Sequence, residues 1–280
     1  MREIDVSRIR DAVSELCLKA NFELRKDILR SLKAGLRKET NERARGIMRT
    51  IIENAKVARA KRLAICQDTG MTFVRIAIGQ GAALVGGSLR QAVNDGVREA
   101  YVKGCLRKSV VADPILRENT KTNTPAVLAV DIVDGDKVTI DISPKGFGSE
   151  NKSRIKMFKP TASLDEIRAF ILDVVKEAGP DACPPLVLGI GIGGSFDTAA
   201  ALAKKALFRP IDTRNPKRHI ARLEKDLLRE ANALGIGPMG LGGKTTVLGV
   251  NILEYPTHIA GLPVAVNVSC HATRSASKAL

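Results

Sequence analysis

A chain of 280 residues, 44% of them hydrophobic, can bury the core of one large or two ordinary domains. No apolar run approaches the roughly 20 residues of a membrane span, and the opening MREIDVSRIR lacks the apolar stretch of a signal peptide, so a soluble, cytoplasmic protein is expected. The net charge of +15 raises nucleic acid as a partner, but aromatic residues make up only 3% and Trp is absent, which disfavours stacking on unpaired bases.

The first third reads as helical. Residues 5–20, 22–37 and 40–62 repeat apolar side chains at three- and four-residue spacing, with Ile47, Ile51, Ile52 and Ala55 as one stripe. Residues 1–62 carry a net +8 and residues 201–230 a net +5, both with acidic and basic residues interleaved as on a solvated helix face. Such a field also concentrates small anions. Beyond residue 62 the texture changes. Residues 72–78 alternate like a strand, residues 79–87 form a Gly-rich turn, and Ser88 caps a helix to about Lys103. Residues 126–133 and 137–143 flank an Asp134, Gly135, Asp136 turn, which predicts a hairpin. Ser163 opens a helix that stops at Gly179 and Pro180. Residues 186–192 read as a buried strand, 196–207 as a helix, and Asn215 with Pro216 as the start of a helix to about Leu234. Residues 246–253 and 262–268 are apolar strands, and the last ten residues, HATRSASKAL, are expected at a surface. The pattern predicts an α/β fold with mixed sheets flanked by helices: a single domain over 1–280, with a mainly helical part at 1–62 and an α/β part at 63–280.

Two glycine motifs raise nucleotide chemistry. GIGPMGLGGKTT, residues 235–246, ends like a phosphate-binding loop, but Pro238 stands where the first Gly of Gly-x-x-x-x-Gly-Lys-Thr is required. Proline removes an N–H donor and fixes φ, and a strand rather than a helix is predicted to follow. Residues 189–194, GIGIGG, match a dinucleotide fingerprint between a strand and a helix, with Asp212 near the distance of the acidic partner. The intervening LFRPIDTRNP holds two prolines and no convincing strand. A basic nucleotide- or nucleic-acid-binding module and a dinucleotide oxidoreductase are the competing function classes, and both rest on these glycines.

The five cysteines are odd in number and dispersed, which suits neither a disulfide framework nor a Cys-x-x-Cys zinc site. Cys17 and Cys105 have apolar neighbours and read as core. Cys66, Cys183 and Cys270 have polar or turn-rich neighbours at strand ends, where three thiolates could converge on iron and leave one position open, although spacing alone does not dictate it.

The strings AICQDTG, KPT leading to VKEAGPDACPPLVLGIGIGGSFD, NALGIGPMGLGGKTT and HIAGLPVAVNVSCHATR, in this order, resemble the alpha subunit, or N-terminal region, of the class I iron–sulfur fumarase and L(+)-tartrate dehydratase family, from about residue 10 to 275. The resemblance implies a hydro-lyase that hydrates fumarate to malate in the tricarboxylic acid cycle, or dehydrates tartrate. It implies a [4Fe–4S] cluster held by Cys66, Cys183 and Cys270, with Gln67, Asp68, Arg107 and Gly148 meeting the dicarboxylate. Asp68 and His258 match active-site residues, Asp68 one implicated in acid–base work. The chain stops soon after Cys270, so a beta subunit completing the active site is expected, with a dimer of heterodimers as the plausible assembly. Both glycine motifs then become family loops.

Overall fold

The computed structural model describes residues 1–280. The chain runs β1 (Arg2–Asp5), α1 (Val6–Phe22), α2 (Lys26–Lys38), α3 (Glu42–Lys61), β2 (Met71–Gly79), β3 (Ala82–Val85), α4 (Leu89–Lys103), β4 (Val127–Val133), β5 (Val138–Lys145), α5 (Phe147–Glu150), β6 (Arg154–Phe158), α6 (Leu164–Ala178), β7 (Leu186–Gly193), α7 (Phe196–Ala206), α8 (Arg218–Ala233), β8 (Val247–Tyr255), β9 (Leu262–Ser269) and β10 (Ala276–Ala279). This is the mixed α/β architecture that the hydrophobic pattern predicts, with three helices in the first third. Helix starts follow the capping chemistry. Asp5 accepts the Ser7 N–H at α1, Ser88 accepts that of Gln91 at α4, and Ser163 forms a full capping box with Glu166 at α6. No helix is long and apolar enough to cross a membrane.

The chain divides into two compact units, and each unit draws on both the helical first part and the α/β remainder. The first unit comprises residues 1–25, 54–147 and 274–280. Its four-stranded sheet has the order β10-β5-β2-β4, with β2 parallel to β4 and antiparallel to β5, and β1 pairs separately with β3. Helices α1 and α4 bury Ile9, Val13, Leu16, Val93, Val97 and Tyr101 against Val74, Ile76, Ile140 and Ile142 of the sheet. The predicted hairpin does not form, because β2 lies between β4 and β5. The Asp134 turn is an arch over the end of β2, where the Gly79 N–H donates to the Lys137 carbonyl and the Gln80 N–H to that of Val133. Burial explains the order: Val74 and Ile76 of β2 are fully buried and take the centre, while β4, with Val127, Val130 and Ile132 exposed, takes the edge.

The second unit comprises residues 26–53 and 148–273, and the boundary falls inside α3. Its sheet has the order β6-β9-β7-β8, with β7 parallel to β8 and antiparallel to β9. Alternation sorts the faces. Leu186, Leu188 and Ile190 of β7 join Val264, Val266 and Val268 of β9 under Ile171, Val175, Leu223 and Leu227 of α6 and α8. Ala265 points the other way, onto Ala199 and Ala203 of α7. Strand β6 was not anticipated; its sequence, RIKMF, is basic and mostly exposed, as an edge strand allows.

The segment HATRSASKAL lies at a surface only in its last part, where Ser277, Lys278 and Ala279 are exposed. Ala272, Thr273 and Arg274 are buried, and β10 pairs antiparallel with β5 from Ala276 to Ala279. A short strand with one apolar turn before it carries too little pattern to be seen in sequence.

Candidate functional site

In the first unit, Cys66, Gln67 and Asp68 lie on the irregular segment between α3 and β2, with Cys66 half-buried and Gln67 exposed. This segment is held through its backbone by groups around it. The Ile65 N–H donates to the Asn21 carbonyl at 2.9 Å, and Asn54 Nδ2 donates to the Ile65 carbonyl at 2.8 Å. Arg274 Nη2 donates to the Asp68 carbonyl at 2.8 Å. The buried Tyr101 hydroxyl lies 2.6 Å from the Thr69 carbonyl and 3.0 Å from that of Gly70, which also accepts from Asn123 Nδ2 at 3.1 Å. Burial pushes the Tyr101 phenol above its ordinary range, and the nearby Cys17 thiol adds to this, so the hydroxyl stays a donor at neutral pH. The Asp68 carboxylate is oriented in turn: Oδ1 accepts from the Gly70 N–H at 3.0 Å and Oδ2 from the Phe147 N–H at 2.8 Å. Arg107 is brought to the same place, because Thr69 Oγ1 donates to its carbonyl at 2.7 Å and its guanidinium is left exposed.

In the second unit, Cys183 and Cys270 are joined through one residue. Cys183 ends the short turn Gly179–Ala182 in a left-handed conformation, and Cys270 directly follows β9. The Cys183 carbonyl is met by both the backbone N–H of His271, at 3.3 Å, and its ring Nδ1, at 2.9 Å. Thr273 Oγ1 donates to the Cys270 carbonyl at 2.8 Å. Gly148 stands beside this turn, where an added Cβ would lie 3.6 Å from the Asp181 carbonyl oxygen. His258 is carried on the exposed β8–β9 loop, away from hydrogen-bonded contact with either cysteine. Its Nδ1 accepts the Ala260 N–H at 3.1 Å, which leaves Nε2 as the protonated, outward nitrogen of the neutral ring.

The glycine motifs have structural owners. Gly189 and Gly191 lie within β7 and face α7: a Cβ would meet the Ala203 carbonyl oxygen at 2.2 Å and that of Ala199 at 2.0 Å, so their bareness seats the helix on the sheet. Gly194 holds the His258 loop, through its N–H to the Pro256 carbonyl at 3.2 Å and Thr257 Oγ1 to its carbonyl at 3.0 Å, and Gly193 lies close against the Tyr255 carbonyl, where a Cβ would stand at 2.0 Å. In GIGPMGLGGKTT the amides are spent internally. Those of Gly240, Leu241 and Gly242 donate to the carbonyls of Gly237, Pro238 and Ile236, and that of Met239 to the Pro184 carbonyl beside Cys183. Lys244 donates its N–H to buried Glu39 Oε2 at 2.6 Å, so the protein's own carboxylate stands where a phosphate oxygen would. Burial opposes the charge of Glu39, but the N–H groups of Asn41, Lys244 and Thr40 outweigh it and hold the carboxyl below its ordinary range. The loop packs on the turn before Cys183, where a Cβ at Gly240 would lie 2.3 Å from Pro180 Cβ.

None of the five cysteines forms a disulfide; Cys17 is buried, with its thiol pushed up to about 12 by burial, whereas Cys105 is exposed and not the core residue expected. No three His, Cys, Asp or Glu side chains are grouped tightly enough to hold a single metal ion. Sequence reasoning missed the supporting residues Asn21, Glu39, Asn54, Tyr101, Asn123, His271 and Arg274. Only His271 and Arg274 carried a signal, their place inside the CHATR string.

The Fumarate hydratase (Fumerase) family model matches residues 10–279. A Methanocaldococcus jannaschii protein provisionally named L(+)-tartrate dehydratase subunit alpha is 40% identical over 280 residues, 97% of each chain. The L(+)-tartrate dehydratase subunits alpha of Escherichia coli K12 and Shigella sonnei are each 32% identical over 272 residues, which is 96% of this chain and 89% of theirs. With a family match along nearly its whole length and relatives of this similarity, the chain belongs to the fumarate hydratase (Fumerase) family.

Proposed function

We propose that the chain is the alpha subunit of an iron–sulfur-dependent hydro-lyase that reversibly hydrates fumarate to malate, acting in the cytoplasm with a beta subunit. One observation carries the reading. Of the five cysteines, none in a disulfide, the three that match the family's cluster ligands, Cys66, Cys183 and Cys270, are the half-buried ones, each on or beside an irregular segment fixed by hydrogen bonds. Those three thiols would hold a [4Fe–4S] cluster, whose irons are held by cysteine thiolates. When bound, the cluster supplies an open iron as a Lewis acid toward the substrate's C–O bond.

The chain's own residues then divide the remaining work. The exposed Arg107 guanidinium pairs with a substrate carboxylate, and Gln67 hydrogen-bonds the dianion beside it. Gly148 offers its backbone to the same substrate. Asp68, held by two N–H donors, keeps one geometry while it handles the proton of the leaving oxygen. His258 presents Nε2 as a donor. The carbon-bound proton falls to a base on the beta subunit, and a dimer of heterodimers repeats the arrangement.

Tartrate dehydration is the second reading, favoured by the names of the relatives. Anaerobic iron and sulfide reconstitution, with Cys66→Ser, Cys183→Ser and Cys270→Ser in parallel, tests the cluster. A brown absorption lost in each variant is expected. Co-expression with the beta subunit then compares fumarate with tartrate. A colourless chain that takes up no iron, with the variants indistinguishable from the parent, sinks both readings.

A further inference from the structure

Arg274 is a cation that the proposed chemistry leaves without a task. It is 3% exposed in the first unit, and its guanidinium is met by no carboxylate. Nη1 donates to Asn21 Oδ1 at 3.1 Å, Nη2 to the Asp68 carbonyl at 2.8 Å, and the buried Nε has no acceptor. Burying an uncompensated charge is costly, and an apolar residue would fill the space without that cost. The geometry must therefore serve something besides packing.

We infer that Arg274 is a positioning residue for the Cys66–Asp68 segment, setting where the Asp68 carboxylate stands by fixing the Asp68 peptide against Asn21. Asn21 is fully buried on α1 and works from both sides: its carbonyl accepts the Ile65 N–H, and its Oδ1 accepts from Arg274. Asn21 and Arg274 together bracket residues 65–68. Only a planar fork can reach both acceptors at once, because an ammonium on a flexible stem has no fixed second donor direction. The guanidinium and the Asp68 carboxylate flank one gap at Gly146, where a Cβ would lie 3.1 Å from Asp68 Oδ2 and 3.6 Å from Arg274 Nη2. Because the carboxylate hangs from the residue whose carbonyl Arg274 holds, a shift of that carbonyl displaces the side chain. The inference rests on the proposed part of Asp68 in acid–base work.

Hydrogen exchange on the full chain tests it, with Arg274→Lys and Arg274→Gln. The Lys variant keeps the buried charge and loses the fork, so it decides alone if the Gln variant does not fold. In both, amides of residues 65–70 should exchange about tenfold faster or more, while those of β2 and β5 keep their protection. In the assembled enzyme kcat should fall about tenfold or more with KM within about twofold, because Arg107 still grips the substrate. Unchanged exchange at 65–70 in the Lys variant overturns the inference. So does a loss of protection spread over the whole unit, which would make Arg274 a residue of the fold alone. A parent chain that binds no iron and turns over neither acid would instead remove the proposed function, and the exchange comparison would still be readable.

Discussion

At the scale of single residues, Tyr101 shows how a core side chain can serve a site it never touches. Replacing it with Phe leaves the volume but strips the donor from the Thr69 and Gly70 carbonyls. The expected loss is about 1–3 kcal/mol of stability, measured by urea denaturation, with faster exchange at residues 65–70. Cys17 makes a pH prediction. Its folded-state thiol titrates at about 12 against an ordinary 9.0, raised by burial, so its contribution is whole below pH 9 and is lost as pH rises toward about 12. The unfolding free energy from urea denaturation should fall across that window, by on the order of 4 kcal/mol at its end, and Cys17→Ala should flatten the fall. Little of this support was legible beforehand. Cys66, Asp68 and Arg107 stand in strings specific enough to name a family, whereas Asn21 and Tyr101 sit in ordinary amphipathic helices where nothing local marks them. Arg274 misled in the other direction, because an arginine near a chain end reads as a surface cation.

At the scale of elements, the strand-plus-helix pattern was readable wherever periodicity ran long, as in α1, α6 and β7, and failed where pairing is decided far away in sequence. The β4–β5 arch is the case in point: its turn residues are those of a hairpin, but the choice of neighbour belongs to β2, some fifty residues earlier. The β7 glycines make the packing claim testable. Gly191→Ala drives a Cβ into the Ala199 carbonyl, a backbone atom that moves only with α7, and should cost about 3 kcal/mol in denaturant unfolding. Gly135→Ala, at φ +95° with open space around it, should cost about 1–2 kcal/mol, from strain alone. A loss at Gly191 no larger than that at Gly135 would mean that helix seating does not explain the β7 glycines. The GIGPMGLGGKTT loop gives a companion test. With the Lys244 amide already held by Glu39, ATP at about 1 mM should leave Tm unchanged, whereas a shift of a few degrees would reopen the nucleotide reading.

At the scale of the whole molecule, a net charge of +15 is a long-range statement about which ligands arrive. For a dicarboxylate substrate, kcat/KM of the assembled enzyme should fall several-fold between about 0.02 and 0.2 M salt while kcat holds, as screening shortens the reach of the field. Salt-independent kcat/KM would reduce the charge to a matter of solubility. The way the chain is divided bears on a different process, synthesis. The first unit is assembled from residues 1–25, 54–147 and 274–280, and its sheet takes β10 as an edge strand on β5. Arg2 reaches across to the Leu280 carbonyl, and Val138 exchanges backbone hydrogen bonds with Leu280. Emerging from the ribosome, residues 148–273 can close their sheet first, while the unit begun earlier waits with an unpaired β5 edge and a loop at Cys66 that Arg274 has yet to reach. The unit begun earlier is therefore completed after the one that follows it, and during that interval its open strand edge is what a chaperone would have to shield.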